Sequence, residues 1–301
     1  MILAAVDIGS NAARLLISET SVYKDGNVDF TKLNLLRVPL RLGFDVFDNG
    51  YITDDRKRNL IKTLKAYKYL IDIYKVEAMR ACATSAMRDA SNNQEIIDEV
   101  FRETGIRIDI ISGQEEANII YETHIAESLA HNKSYLYIDV GGGSTEVTLF
   151  AQNRTVFKES FNIGTIRLLH GQVSEEQWSH MKWFIKTHVK DHAPVEAIGS
   201  GGNINKIFSL SKRKEGKPLP LELLKDYYKE MSYSTLQERK HLYSLRDDRA
   251  DVIVPALQVF VSIMRWANAD EIYVPKIGLA DGIVKMLYKE QAANSPESQK
   301  V

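Results

Sequence analysis

Residues 135–150 read YLYIDVGGGSTEVTLF, and the fold class follows from how that stretch is read. Two apolar runs flank Asp139, three consecutive glycines, a Ser-Thr pair and Glu146. Tyr135 to Val140 and Val147 to Phe150 carry the pattern of buried strands, so the stretch predicts strand, turn, strand. Gly141, Gly142 and Gly143 lack Cβ atoms. They can therefore take φ > 0 and turn successive N–H groups toward one point, a concavity suited to phosphate oxygens. Asp139 closes the first strand, where a carboxylate can hold a hydrated Mg²⁺, and Glu146 opens the second. A plain β-hairpin with a glycine-rich turn is the alternative reading, but it requires neither three glycines nor flanking acids.

The same design opens the chain. Residues 2–8 (ILAAVDI) and 14–20 (RLLISET) predict two strands joined by Gly9-Ser10-Asn11-Ala12-Ala13. Asp7 and Asp139 each stand two residues before a glycine of such a turn, 132 residues apart. The recurrence predicts an internal duplication, each half supplying one phosphate loop; alone, Asp7 would read as a turn-initiating residue. Gly199-Ser200-Gly201-Gly202-Asn203 is a third strand-to-glycine turn that opens a helix. It is not a Walker A loop, since no Lys-Ser/Thr pair follows the last glycine.

Between these turns the periodicity predicts helices over 54–74, 94–104, about 113–129, 174–191, 221–231, 235–242, 249–267 and 283–291, and strands over 77–83, 107–111, 155–161, 195–198 and 271–274. Arg41 to Asp45 reads as a lead into the turn Asp48-Asn49-Gly50. Arg88, after the strand that ends at Ala83, is either a phosphate ligand or a surface ion-pair partner. Glu115 and Glu116 fall in the first turn of a helix. One suits the helix dipole, the other a general base facing phosphate. Cys82 and Arg88 have the spacing of a tyrosine-phosphatase loop but no glycine lies between them, and the strand pattern buries Cys82, so a small buried hydrophobe is expected.

The whole chain limits the possibilities. Its 301 residues are 44% apolar, enough for two cores. Lys plus Arg total 39 against 40 for Asp plus Glu, a net charge of −1, so overall charge points to neither nucleic acid nor an anionic membrane. One cysteine rules out an internal disulfide framework and fits a reducing compartment. The seven histidines lack metal-ligand spacing. The apolar N-terminus is interrupted by Asp7 and Asn11 and has no basic flank, and no other apolar run is expected to approach membrane-spanning length, so a soluble cytoplasmic protein is expected. Strands, glycine turns and crossover helices in two halves predict an α/β protein with two mixed sheets and an interdomain cleft lined by the turns.

AVDIGSNAARLLI, RLGFDVFDNG, ATSAMRDASN, ISGQEEANII, YIDVGGGSTEVTLF, IGSGGNINKI and RADVIVPAL together resemble the Ppx/GppA family of exopolyphosphatases and guanosine pentaphosphate phosphohydrolases. ISGQEEA followed by IDVGGGSTE is the specific part, and the resemblance covers nearly the whole chain. It implies two actin-like, ribonuclease H-like domains, at 1–122 and 123–301, with a C-terminal helix at about 283–301 packing back on the first. It implies hydrolysis of terminal phosphoanhydride bonds in polyphosphate, with pppGpp as a second candidate substrate and Mg²⁺ as cofactor. Glu116 would be the catalytic base. Asp7, Asp139 and Glu146 would serve the metal, and Ser10, Asn11, Arg14, Arg88, Gly141, Gly142, Gly143 and Ser144 the phosphates. A non-catalytic alarmone or nucleotide sensor on the same scaffold is the alternative. No nucleic-acid or membrane partner is expected, and a homodimer is left open. Ala12 stands where the family commonly has a hydroxyl residue, and Ala280-Asp281 where it has Arg-Glu. The HD-like C-terminal domain of longer members is absent from the sequence.

Overall fold

Ile2–Ile8 (β1) is apolar on both faces and buried from Leu3 onward, so it must run through the middle of a covered sheet. A computed structural model describes residues 1–24, 27–121, 133–152, 154–275 and 278–293. The chain divides into Met1–Ile125 with Gly278–Val301, and Ala126–Ile277. In the first unit β1 pairs antiparallel with Ala13–Val22 (β2), which pairs with Val28–Val38 (β3). On its other side β1 runs parallel to Ala78–Ala83 (β4), and β4 to Ile108–Ile110 (β5). The order is β3-β2-β1-β4-β5.

Helices cover this sheet. Leu42–Asn49 (α1) is followed by Asp54–Ile73 (α2), which buries Leu60, Ile61, Leu64, Tyr67 and Ile71; the Tyr67 hydroxyl donates to the Ala13 carbonyl at 3.0 Å. Ser85–Asp89 (α3), Asn93–Thr104 (α4) and Gly113–Tyr121 (α5) follow. The expected extension of α5 toward residue 129, the boundary at 122/123 and the chain beyond 293 lie outside the described residues.

The second unit repeats the plan. Ser134–Val140 (β6), Thr145–Ala151 (β7) and Arg154–Phe161 (β8) form an antiparallel meander, and Val195–Ser200 (β9) lies parallel to β6. With Leu219–Pro220 (β10) and Glu271–Tyr273 (β11), the order read from β8 is β8-β7-β6-β9-β11-β10. Apart from β10, this is the first sheet's order, the duplication expected from the two Asp-glycine turns. The helices are Thr165–Leu169 (α6), Glu175–Val189 (α7), Gly202–Leu210 (α8), Leu221–Tyr233 (α9), Leu236–Leu242 (α10), Asp247–Ala250 (α11) and Ile253–Ala267 (α12). Ser174 and Gln177 form a capping box at the start of α7.

Two local expectations are corrected, and one strand carries no clear sequence signal. β3 is an edge strand with no fully buried residue, interspersed with Asp29, Thr31, Lys32 and Asn34, so its alternation is weak. α1 stands where the sequence reads as a lead into a turn, because it is short and starts at a left-handed Arg41 (φ 55); the expected turn is its end, at left-handed Gly50 (φ 79). The long helix over 249–267 is two, because Pro255 lacks an N–H and its ring excludes the carbonyl of Asp251 from a continuous helix. Residues 247–267 are long and apolar enough for a membrane span by composition, yet 67% of their apolar window is buried inside this unit.

Leu279–Ala293 (α13) returns the chain to the first unit, against β1, β2, β4 and α5. Gly282 permits this: a Cβ there would lie 2.2 Å from the Ile119 carbonyl oxygen. Gly282→Ala should therefore cost about 1–3 kcal/mol of stability, read as a lower denaturant midpoint at constant m-value. Gly278→Ala, at a glycine with open space around it, should stay within about 0.5 kcal/mol.

Candidate active site

In the second unit the Gly141–Ser144 turn is closed by the Gly141 N–H donating to the Ser144 carbonyl at 2.9 Å. None of Gly141, Gly142 and Gly143 is among the left-handed glycines, so the conformational reason expected for them does not apply. Close approach operates instead at Gly164, which packs on this turn. The N–H groups of Thr165 and Ile166 donate to the carbonyls of Gly141 (3.0 Å) and Gly142 (2.8 Å), and Arg167 Nε donates to that of Gly143 (2.9 Å). A Cβ on Gly164 would stand 2.4 Å from the Gly142 oxygen, so only glycine lets α6 meet the turn.

Beside the turn, Asp139 and Glu146 are direct cross-strand partners. Glu146 is 1% exposed and accepts from the Ser160 hydroxyl at 2.9 Å. Ser200 on β9 is in register with Asp139, and Ser160 on β8 with Glu146. Ser200, Asp139, Glu146 and Ser160 thus form one polar row on one face of the sheet. Gly201 takes φ 104, and a Cβ there would meet Asp139 Oδ1 at 3.1 Å. The left-handed glycine of this unit's site therefore starts α8 beside the Asp139 carboxylate.

The first unit's turn has the same frame and different chemistry. The Gly9 N–H donates to the Ala12 carbonyl at 3.0 Å, and the N–H groups of Arg41 and Gly43 hold the carbonyls of Asn11 (2.9 Å) and Ser10 (2.8 Å). The buried Ser10 hydroxyl pairs with that of Ser85 at 2.8 Å. Ser85 was not singled out in the sequence, because nothing local marks a partner 75 residues away. Asp7, 3% exposed, receives Arg14 Nη1 at 2.6 Å. Arg88 Nη1 donates to the Ile111 carbonyl at 3.0 Å, which ties it to the strand end leading into α5.

Capping distinguishes Glu115 from Glu116. Glu115 Oε2 accepts from the Ser112 N–H (2.8 Å) and hydroxyl (3.0 Å), and the Glu115 N–H donates back to that hydroxyl (3.1 Å). Those bonds, the backbone one first, hold the Glu115 carboxyl below the usual range. Glu116, half-buried, is the acid outside this box. Asp281 likewise has a structural place: Oδ2 accepts from the Gly278 N–H at 2.9 Å, and Oδ1 meets Lys32 at 2.6 Å. Ala280 beside it is buried.

Cys82 is fully buried in β4, and burial pushes its thiol up to about 12, which is unsuited to a nucleophile. The native protein should leave a thiol reagent unconsumed at pH 8 and react only on unfolding. The fold holds this proton more tightly than the unfolded chain does. Stability should therefore be full below the ordinary thiol value of 9.0 and fall as pH rises from there toward 12. Cys82→Ala should shrink that loss.

A sequence model of the Ppx/GppA phosphatase family matches residues 21–290. The bifunctional 3-dehydroquinate synthase/phosphatase of Fusobacterium nucleatum is 37% identical over 201 residues, which cover 62% of this chain; the chain spans only 30% of that relative's length. Exopolyphosphatase 1 of Mycobacterium tuberculosis is 24% identical over 311 residues, covering 94% of this chain and 87% of the relative. The crystal structure of the Aquifex aeolicus member of the Ppx/GppA protein family is 28% identical, with a TM-score of 0.75 over 97% of this chain and 98% of that one.

Proposed function

The chain belongs to the Ppx/GppA phosphatase family, and from that premise we propose that it hydrolyses terminal phosphoanhydride bonds, releasing phosphate from inorganic polyphosphate. The observation that carries the reading is the Gly141–Ser144 turn, with its carbonyls held from behind and the Asp139–Glu146 pair at its edge. Phosphoryl transfer asks a protein mainly for alignment and charge neutralisation, plus one group to position the nucleophile. The exopolyphosphatase relative, spanned over 87% of its length, supports polyphosphate as the substrate class.

In this reading the N–H groups of Gly142, Gly143 and Ser144 and the Ser144 hydroxyl bind phosphate oxygens. Ser10, Asn11, Arg14 and Arg88 supply further donors. Arg14 contributes its N–H groups more than net charge, because Asp7 already balances it. Glu116 accepts a proton from water, whose oxygen bonds to the terminal phosphorus as the bridging P–O bond breaks. The shortened chain leaves with that bonding pair, and the proton is passed on to product or solvent.

Among the described residues no group of three or more His, Cys, Asp or Glu could cage a metal. Mg²⁺ keeps several of its waters and binds through one or two carboxylates and the substrate's phosphates. Asp139 and Glu146, side by side on one sheet face, would hold it. Asp7, engaged by Arg14, fits the role less well. When bound, Mg²⁺ supplies positive charge to the phosphate oxygens.

The test measures phosphate release from short polyphosphate, long polyphosphate, pppGpp and ATP, after chelation and with Mg²⁺ restored. Release from polyphosphate that returns with Mg²⁺ is expected; binding with no release from any of the four would favour the sensor. Glu116→Gln should lower kcat about 10²- to 10⁴-fold with tripolyphosphate affinity retained. Glu115→Ala, which removes the acceptor that Ser112 uses, should cost stability, about 0.5–2 kcal/mol, and leave kcat near wild type. Unchanged turnover in Glu116→Gln would overturn the assignment.

A further inference from the structure

We infer that Arg167 is a positioning residue of the glycine turn, acting through the Gly143 carbonyl to aim the Ser144 N–H at phosphate. The inference rests on the reading of that turn as a phosphate site. A peptide unit is planar and trans, so its C=O and its N–H point in opposite directions. Holding a carbonyl from one side therefore aims the N–H of the following residue to the other. The Gly141 carbonyl, held by Thr165, sets the N–H of Gly142, and the Gly142 carbonyl, held by Ile166, sets that of Gly143. The Gly143 carbonyl, held by Arg167 Nε at 2.9 Å, sets that of Ser144. Among the described residues no main-chain carbonyl accepts from these three N–H groups.

Three adjacent glycines need such restraint, since each has wide conformational freedom and no side chain to lock it. Two of the three holds are made by main-chain N–H groups. Arg167 is the third and the only one made by a side chain. The first unit's turn has two comparable holds, from Arg41 and Gly43, both main-chain. Its hydroxyl is held differently, Ser10 against Ser85. A cationic donor on the Gly143 carbonyl also polarises that peptide, which strengthens the Ser144 N–H as a donor.

The experiment uses the full chain carrying Glu116→Gln, so that bound tripolyphosphate is not turned over, and titrates it calorimetrically. Adding Arg167→Met should weaken tripolyphosphate binding about tenfold, the effect of losing one charge-assisted hydrogen bond. Adding Arg154→Met instead, at an exposed arginine of the same unit, removes the same charge and should change affinity less than about twofold. Guanidinium ion added to Arg167→Ala should recover part of the loss. Equal weakening by the substitutions at 167 and 154, or none at 167, overturns the inference. The NMR order parameter of the Ser144 amide without ligand reads the positioning directly: it should fall in Arg167→Met, and an unchanged order parameter also overturns the inference. Should Arg167→Met fail to fold, Arg167→Lys, which keeps the charge but not the Nε donor, takes its place with the same expectations. A wild-type chain that fails to bind tripolyphosphate counts against the phosphate reading, while the order parameter of the Ser144 amide still decides the role of Arg167.

Discussion

The approach of α6 to the glycine turn leaves no room for a single carbon atom. With Gly164 pressed on the Gly142–Gly143 peptide, the first amides of the helix reach carbonyls that a larger residue would hold out of range. Helix-terminal N–H groups need acceptors and buried turn carbonyls need donors, so one contact satisfies both. It also leaves the opposite side of the same peptides presenting N–H groups, the feature from which a phosphate site can be built. The polar row beside the turn and the short antiparallel return of β7 depend on that geometry.

Duplication supplied the frame, and divergence within it separates the two halves. Both units carry an acid at the end of their first strand, Asp7 and Asp139, opposite the second residue of the returning strand. In the first unit that partner is Arg14, and a compact ion pair results. In the second it is Glu146, and two carboxylates stand side by side. One register position thus gives a self-neutralised pair in one unit and an acidic pair suited to a divalent cation in the other. Cys82 and Ser200, in register with Asp7 and Asp139 on the adjoining strands, diverge as well, the first into an inert core residue.

Capping does comparable work at α5. Two neighbouring glutamates differ little in intrinsic chemistry, yet Ser112 claims Glu115 through three hydrogen bonds. The helix start is then secured by one acid, and the other is released from that duty. The same economy operates at α13, where Asp281 caps the helix and pairs with Lys32, so a residue that departs from the family pattern has a structural function here.

By itself the sequence determined the strand-turn-strand pattern at both Asp-glycine turns, the helix start at Ser174, the burial of Cys82 and membership of the family. These signals are short-range: alternation, apolar runs and acceptor-donor pairs three residues apart. Only the tertiary structure decided why the glycines are needed, since the atom that excludes a side chain at Gly164 comes from a strand-linked turn some twenty residues earlier. It also decided that β3 is a strand, because an exposed edge is defined by the neighbour it pairs with more than by its own periodicity. The partners of Ser10, Asp281 and Gly143 lie 75, 249 and 24 residues away in the chain. No local pattern encodes them, and the chain acquires them only when the sheet and its covering helices close on one another.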